Sequence, residues 1–259
     1  MATQRPPQEP AISVIDLHKS FDGKKVLRGL DLEIDRGESL AVVGGSGAGK
    51  TVFLKHLIGL LPPDEGNVVV DGVDITLASP TVALELRKRF GMSFQEGALF
   101  DSMTVFDNIA FPIRRHTDRN REQVAQRVHE CLQLVRLNGV ETKYPAELSG
   151  GMRRRVGFAR AIALEPEFLL FDEPTTGLDP INTAAIAKVI NVMRSELEVT
   201  AVTITHDMSL AFRIADRIAM IRRGAIIAIE PPERFRVHPD PYVQAFLNGE
   251  VPADEEEAL

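Results

Sequence analysis

The sequence predicts an α/β fold, a core of mostly parallel strands that is interrupted by a block of helices and then resumes. Three observations predict it. The short apolar run "SLAVVG" ends in glycines and leads into a helix-patterned segment, as a buried parallel strand does. From about Ser79 to Leu164 the apolar spacing is helical. Beyond Glu165 strand-like and helix-like segments alternate again.

Taken in order, "ISVIDLHKSF" partly alternates and reads as a strand, and "VLRGLDLEI" follows it across the turn residues "DGKK". "KTVFLKHLIGLL" has helical spacing and stops before Pro62 and Pro63, while "GNVVVDGVDI" reads as strand, turn and strand. Helices are expected near "PTVALELRKRF", "VFDNIAFPIRR", "NREQVAQRVHECLQLVRL" and "GMRRRVGFARAIAL". Downstream, "EFLLFDEP" and "TAVTITHD" are strand candidates. Between them, "PINTAAIAKVINVMRSEL" puts Ile186, Val189, Ile190, Met193 and Leu197 on one helical face. "RIAMIRRGAIIAIE" reads as a hairpin turning near Gly224, and "DPYVQAFLNG" as a small amphipathic helix that docks on the core or on another subunit. The expected division of the single domain is a disordered lead-in over 1–11, core over 12–95 and 165–232, helical block over 96–164, and a C-terminal helix with an acidic tail over 233–259.

With 259 residues, 44% hydrophobic and 26% charged, the composition is that of an ordinary globular protein. The net charge of -7 gives no electrostatic reason to expect nucleic acid. No apolar run approaches the ~20 residues that cross a bilayer. The one cysteine, Cys131, has helical spacing from Val124, Val128 and Val135; it reads as a buried thiol, and a chain without disulfides fits a reducing compartment.

Chemistry concentrates first in "GGSGAGKT". Gly44, Gly49, Lys50 and Thr51 match G-x-x-x-x-G-K-[ST], with a strand before and a helix after. Such a loop turns consecutive amides inward as a phosphate nest, so Gly44, Gly45, Ser46, Gly47, Ala48, Gly49 and Val52 are ATP-contact candidates. Lys50 is expected to reach the β- and γ-phosphates, and the Thr51 hydroxyl to ligate Mg²⁺. The second site is "FLLFDEP", where Asp172 ends an apolar strand and Glu173 follows. Alone, two acids after a strand more often form a cap or turn. Beside a phosphate loop they read as a metal-holding carboxylate and a base for an attacking water.

Four further motifs then fall in order: "SFQEG" with Gln95, "LSGGM" with Ser149, Gly150, Gly151 and Met152, "TTGLDP" with Asp179, and "TITHD" with His206. Together they resemble an ABC-transporter ATPase, over roughly Ile12 to Pro232. The resemblance implies a P-loop NTPase (RecA-like) core with an N-terminal antiparallel β subdomain and an inserted α-helical subdomain. It implies ATP and Mg²⁺ as cofactors, Gln95 as a further Mg²⁺ contact, Asp179 as the D-loop acid and His206 as the switch histidine. Phe21 matches the position that stacks on adenine; the plain alternative is an ordinary core aromatic. "LSGGM" departs from the family's LSGGQ at Met152. In such ATPases two subunits stack head to tail, so Ser149 to Met152 would close over the ATP of the other subunit. A homodimer makes two sites, and a heterodimer with a related ATPase stays open.

"SFQEGALFDSMTVFDNIAFPIRR" and the arginines after "LSGGM" resemble the Mla/Mce-type lipid-transport branch. That branch implies phospholipid cargo, an integral membrane permease (MlaE-like), an Mce-domain lipid carrier (MlaD-like) reached through it, a small regulatory subunit as an optional partner, and a peripheral place on the cytoplasmic face of the inner membrane. Leu99, Phe100, Phe106 and Phe111 are read either as a patch for a permease helix or as local core. Arg153, Arg154 and Arg155 are expected on a solvated helix face. The competing readings are a small-solute importer ATPase, a non-transport ABC protein, and a soluble P-loop kinase, for which the signature and switch histidine would have no purpose.

Overall fold

The computed structural model describes residues 9–250, so most of the expected lead-in and the acidic tail lie outside the described residues. Ala11 belongs to the fold rather than to a disordered lead-in: it is buried, and its carbonyl accepts from the Asp71 amide at 3.0 Å.

Two sheets carry the architecture. The first is antiparallel, in the order β2-β1-β4-β5, from β1 (Ile12–Phe21), β2 (Lys24–Ile34), β4 (Glu65–Val70) and β5 (Val73–Asp74). The second has six strands in the order β10-β9-β3-β8-β7-β6. In it β3 (Ser39–Val43), β6 (Phe90–Ser93), β7 (Phe168–Asp172), β8 (Thr200–Thr205) and β9 (Arg217–Arg222) run parallel, and β10 (Ala225–Glu230) returns antiparallel at one edge. Every residue of β3 and β8 is buried, as expected of central parallel strands covered on both faces. Leu40, Val42, Leu170, Val202 and Ile204 face the antiparallel sheet across Phe53 and Leu54 of α1 (Lys50–Leu57) in one continuous core.

The helical block holds α3 (Val105–His116), α4 (Arg121–Leu134) and α5 (Gly150–Ala161), whose core merges with α6 (Pro180–Leu197). Sequence chemistry sets their starts. Thr104, Asn120, Ser149 and Asp179 each cap a helix through a side-chain oxygen, and Gln123 closes a capping box on Asn120. Cys131 lies fully buried in this core, where burial pushes its thiol up to about 11. The remaining helices are α2 (Pro80–Lys88), α7 (Met208–Ile214), α8 (Pro232–Phe235) and α9 (Pro241–Asn248).

An ion cluster ties the sheets together. Asp71, in the turn between β4 and β5, accepts from Arg36 and Arg89, and Arg89 also pairs with Glu167 just before β7. Burial opposes ionisation of Asp71, yet the hydrogen bonds from Arg89 and Arg36 hold its carboxyl below the usual range.

Three expectations need correction. The stretch from Ser79 is not helical throughout: α2 ends at Lys88, and "FGMS" is β6, an edge strand paired with β7 from Phe90↔Phe168 to Ser93↔Phe171. The first long helix is also shorter than its pattern, ending at Leu57 ahead of Gly59. The arginines do not form a solvated face. Arg154 is buried and donates to the Thr176 carbonyl, Arg153 donates to Leu148 at 2.9 Å, and Arg155 to Arg136 at 3.3 Å. A guanidinium's five donors let all three satisfy carbonyls while their stems pack against protein. Leu99 and Phe106 are half-buried against the helical core, whereas Phe100 and Phe111 are exposed.

Candidate nucleotide site

Parallel pairing brings the candidate residues to one edge of the sheet. β3 ends at Val43 beside Thr205 of β8, and Asp172 of β7 pairs with Ile204. The loop after β3, the acids after β7 and the histidine after β8 therefore converge at the carboxyl ends of the strands, where open α/β sheets place their ligands.

The phosphate loop turns at Gly44, whose φ is +153° and where a Cβ would stand 2.3 Å from the Ile221 carbonyl, so only glycine fits. It enters α1 through Gly49 in a left-handed conformation, with no side-chain cap on the first amides of the helix. Lys50 is buried; its Nζ donates to the carbonyls of Gly44 (2.7 Å) and Gly45 (3.0 Å) and lies 3.7 Å from Glu173 Oε1. Burial lowers the Lys50 pKa, against the pull of Glu173 and Asp172. The Thr51 hydroxyl donates to Asp172 Oδ1 at 3.5 Å. Burial, and then the neighbouring Glu173 charge, raise the Asp172 pKa.

Glu173 adopts φ +48°, a strained backbone for a residue with a side chain, held by its amide bonding the Ile204 carbonyl at 2.9 Å. That bend sets its carboxylate between two strands. Oε2 lies 2.8 Å from His206 Nδ1 and accepts from the Thr176 hydroxyl at 3.3 Å. Together Val26, the loop from Ser46 to Val52, Glu173 and His206 line a cleft of about 540 Å³. Its size and its mix of amides, one cation and one carboxylate fit a nucleotide's phosphates.

Val26 on β2 went unnoticed in the sequence. Its carbonyl stands 3.1 Å from where a Gly49 Cβ would be, a contact between β2 and the phosphate loop that no local pattern signals. Gln95 opens a 3₁₀ turn just past β6, the edge strand paired with the β7 that ends in Asp172, and is exposed. Phe21 ends β1, is 42% exposed and does not line the cleft, so it is no core aromatic. The signature residues also stand apart. Ser149 caps α5 by accepting from the Met152 amide at 3.3 Å, and Gly150 and Gly151 form its first turn. Met152 packs on the helical core. None of these four lines the cleft, and neither does Asp179, which caps α6 through the amides of Ile181 and Asn182.

The family model described as ABC transporter matches residues 27–176. This chain belongs to the ABC transporter family. The family's members bind and hydrolyse ATP to drive transport, and ABC cassettes work as dimers with membrane permeases. Among curated relatives, "Probable ribonucleotide transport ATP-binding protein mkl" of Mycobacterium leprae (strain TN) is 42% identical, covering 95% of this chain and 71% of its own length. "Intermembrane phospholipid transport system ATP-binding protein MlaF" of Escherichia coli (strain K12) is 40% identical, covering 92% and 88%. Among solved structures, cbiO1 from Clostridium perfringens, part of the cbiONQ ABC transporter complex, superposes with a TM-score of 0.82 at 28% identity over 93% of this chain and 96% of that one. A dimeric post-hydrolysis state of the cassette MJ0796 bound to ADP and Pi gives 0.78 at 27% identity, over 85% and 98%. Among the described residues, no helix of this ABC ATPase is long and apolar enough to cross a membrane.

Proposed function

We propose that this ABC ATPase powers phospholipid transport between inner and outer membranes, as two copies beneath an MlaE-like permease that hands lipid to an MlaD-like Mce-domain carrier. The observation that carries this reading is the segment after Gln95, "GALFDSMTVFDNIAFP", which resembles the lipid-transport branch and which keeps Phe100 and Phe111 at the surface while Val105, Asn108 and Ile109 are buried. Phe100 and Phe111 are exposed there with ring centroids 5.4 Å apart, beside a groove that Phe94, Pro112 and Arg160 also line. Such a paired-aromatic patch suits a short permease helix. The 40% identity to MlaF across 92% of the chain supports it.

Within the ATP site, Lys50 would hold the β- and γ-phosphates, and Thr51, Asp172 and Gln95 would hold Mg²⁺. The donors fit that ion: a hydroxyl and a carboxylate 3.5 Å apart, to be completed by phosphate oxygens and water. Among the described residues no cluster of three His, Cys, Asp or Glu competes as a transition-metal site. When bound, Mg²⁺ would offset the negative charge that builds up on the phosphates. Glu173 would take a proton from the attacking water as its oxygen bonds to the γ-phosphorus and the bond to ADP breaks. His206 would hold Glu173 and contact the γ-phosphate, and Phe21 would stack on adenine. Ser149, Gly150 and Gly151 would close the ATP of the other copy through a hydroxyl proton and helix N-terminal amides. Asp179 would sit at the same junction.

A second reading, small-solute transport, rests on the mkl relatives named for ribonucleotide transport. A native pull-down from detergent-solubilised membranes, with mass spectrometry of proteins and lipids, separates the two. A permease with an Mce-domain protein and enriched phospholipid is expected; a solute-binding protein without enriched lipid would replace the first reading by the second.

A further inference from the structure

The C-terminal helix α9 reaches the phosphate loop. Asp240 fixes its start, accepting from the Tyr242 amide at 2.7 Å, and Val243 is fully buried among Ala41 and Val43 of β3, Met220 of β9 and Phe235. Docked this way, α9 carries Tyr242 under the loop. The ring is 8% exposed, with the Arg222 guanidinium 3.8 Å from its centroid, and its hydroxyl lies 3.7 Å from where a Gly45 Cβ would stand. Gly44 is backed in the same manner by the Ile221 carbonyl. These are the two residues whose carbonyls hold Lys50 Nζ. The first turn of the loop is thus clamped between the lysine on one side and a shelf made of Ile221, Arg222 and Tyr242 on the other.

We infer that Tyr242 is a positioning residue for the ATP site: it props Gly45 so that the loop is held ready for phosphate, making nucleotide affinity depend on the docking of α9. Preorganisation of this kind acts on binding more than on the chemical step, because Tyr242 props the loop from behind and does not itself line the cleft that holds Glu173 and His206. The far end of α9 strengthens the link. Phe246 and Leu247 share a second cleft, of about 490 Å³, with Gly177, Leu178 and His206, so one short helix backs the phosphate loop and also borders the cleft beside His206. A subunit or ligand that lifts α9 would therefore loosen ATP binding without entering the nucleotide cleft.

The inference rests on the loop at 44–51 being the ATP site, and the test keeps the two apart. Full-length chain and its Tyr242→Ala, Tyr242→Phe, Val189→Ala and Lys50→Ala variants are titrated with a ribose-labelled fluorescent ATP analogue, and KM and kcat are measured for ATP. Tyr242→Ala is expected to raise Kd and KM roughly five- to tenfold with kcat within about twofold. Tyr242→Phe keeps the ring beside Arg222 and is expected to recover most of the affinity. Val189→Ala truncates a buried side chain on α6, remote from α9, and is expected to lower Tm with Kd unchanged. An unchanged Kd in Tyr242→Ala overturns the inference, as does an equal rise in Val189→Ala, which would make the effect one of general stability. Full binding by Lys50→Ala would instead overturn the placement of the ATP site itself.

Discussion

His206 holds Glu173. Its Nδ1 lies 2.8 Å from Oε2, and its backbone amide also faces that oxygen at 3.4 Å, so two elements after different strands meet on one carboxylate oxygen. The pair predicts a split between binding and chemistry. Glu173→Gln keeps the shape and loses the base, so ATP binding is expected to persist while hydrolysis falls by about 10²-fold or more. His206→Ala is expected to lower kcat by a similar order with KM little changed. Single-turnover hydrolysis beside nucleotide titration checks both.

Asp172 predicts a trade between stability and activity. Its pKa is raised in the fold, by burial first and then by Glu173. The folded state therefore holds the proton more tightly than the unfolded chain, and stability falls as pH rises through the window from the unfolded to the folded pKa. Asp172→Asn removes that loss. In the absence of Mg²⁺ and nucleotide its Tm is expected to exceed the wild type's at pH 7 and to match it below the unfolded pKa, while Mg²⁺-dependent hydrolysis falls about 10²-fold or more. Thermal melts across pH test this.

The separation of Ser149 to Met152 from the cleft predicts complementation. Lys50→Ala and Gly151→Glu are each expected to be inactive alone. Mixed dimers join one intact loop to one intact signature, so equal mixing should restore roughly a quarter of wild-type activity. No recovery on mixing would exclude a shared site.

Asn108 predicts which residue keeps the turn from Phe100 to Thr104 in shape. It is fully buried and accepts from the Phe100 amide at 2.8 Å while its amide group faces the carbonyls of Phe100, Met103 and Thr104 at 3.0–3.2 Å. Asn108→Ala leaves those groups unsatisfied and is expected to cost about 2–3 kcal/mol, read by denaturant unfolding. Phe111→Ala removes an exposed ring, is expected to cost under about 0.5 kcal/mol, and should still weaken capture of the permease.

Much of this was legible in the sequence because the chemistry is local. The loop from Gly44 to Thr51, the acids after an apolar strand and the helical pattern of "NREQVAQRVHECLQLVRL" are set by neighbours within a few residues. What escaped depends on distant contacts. β6 is four residues long, contains Gly91 and follows a helix, so no period could show it. Gly91 is there because a Cβ would stand 2.2 Å from the Ala161 carbonyl of the helical block. Arg154 reads as a surface charge until the 176 carbonyl is brought beside it. Val26 joins the cleft only because β2 packs beside the loop at Gly49, 23 residues further along the chain.

The cap that places Ser149 at the head of α5, away from the chain's own cleft, also has a kinetic meaning. With the proposed site shared between copies, dilute protein would turn over ATP as the square of its concentration. Tethered in pairs under a membrane partner, the same chain becomes first order. Free subunits left over from assembly would then consume almost no ATP, and idle turnover would be suppressed by dilution alone, without an inhibitor.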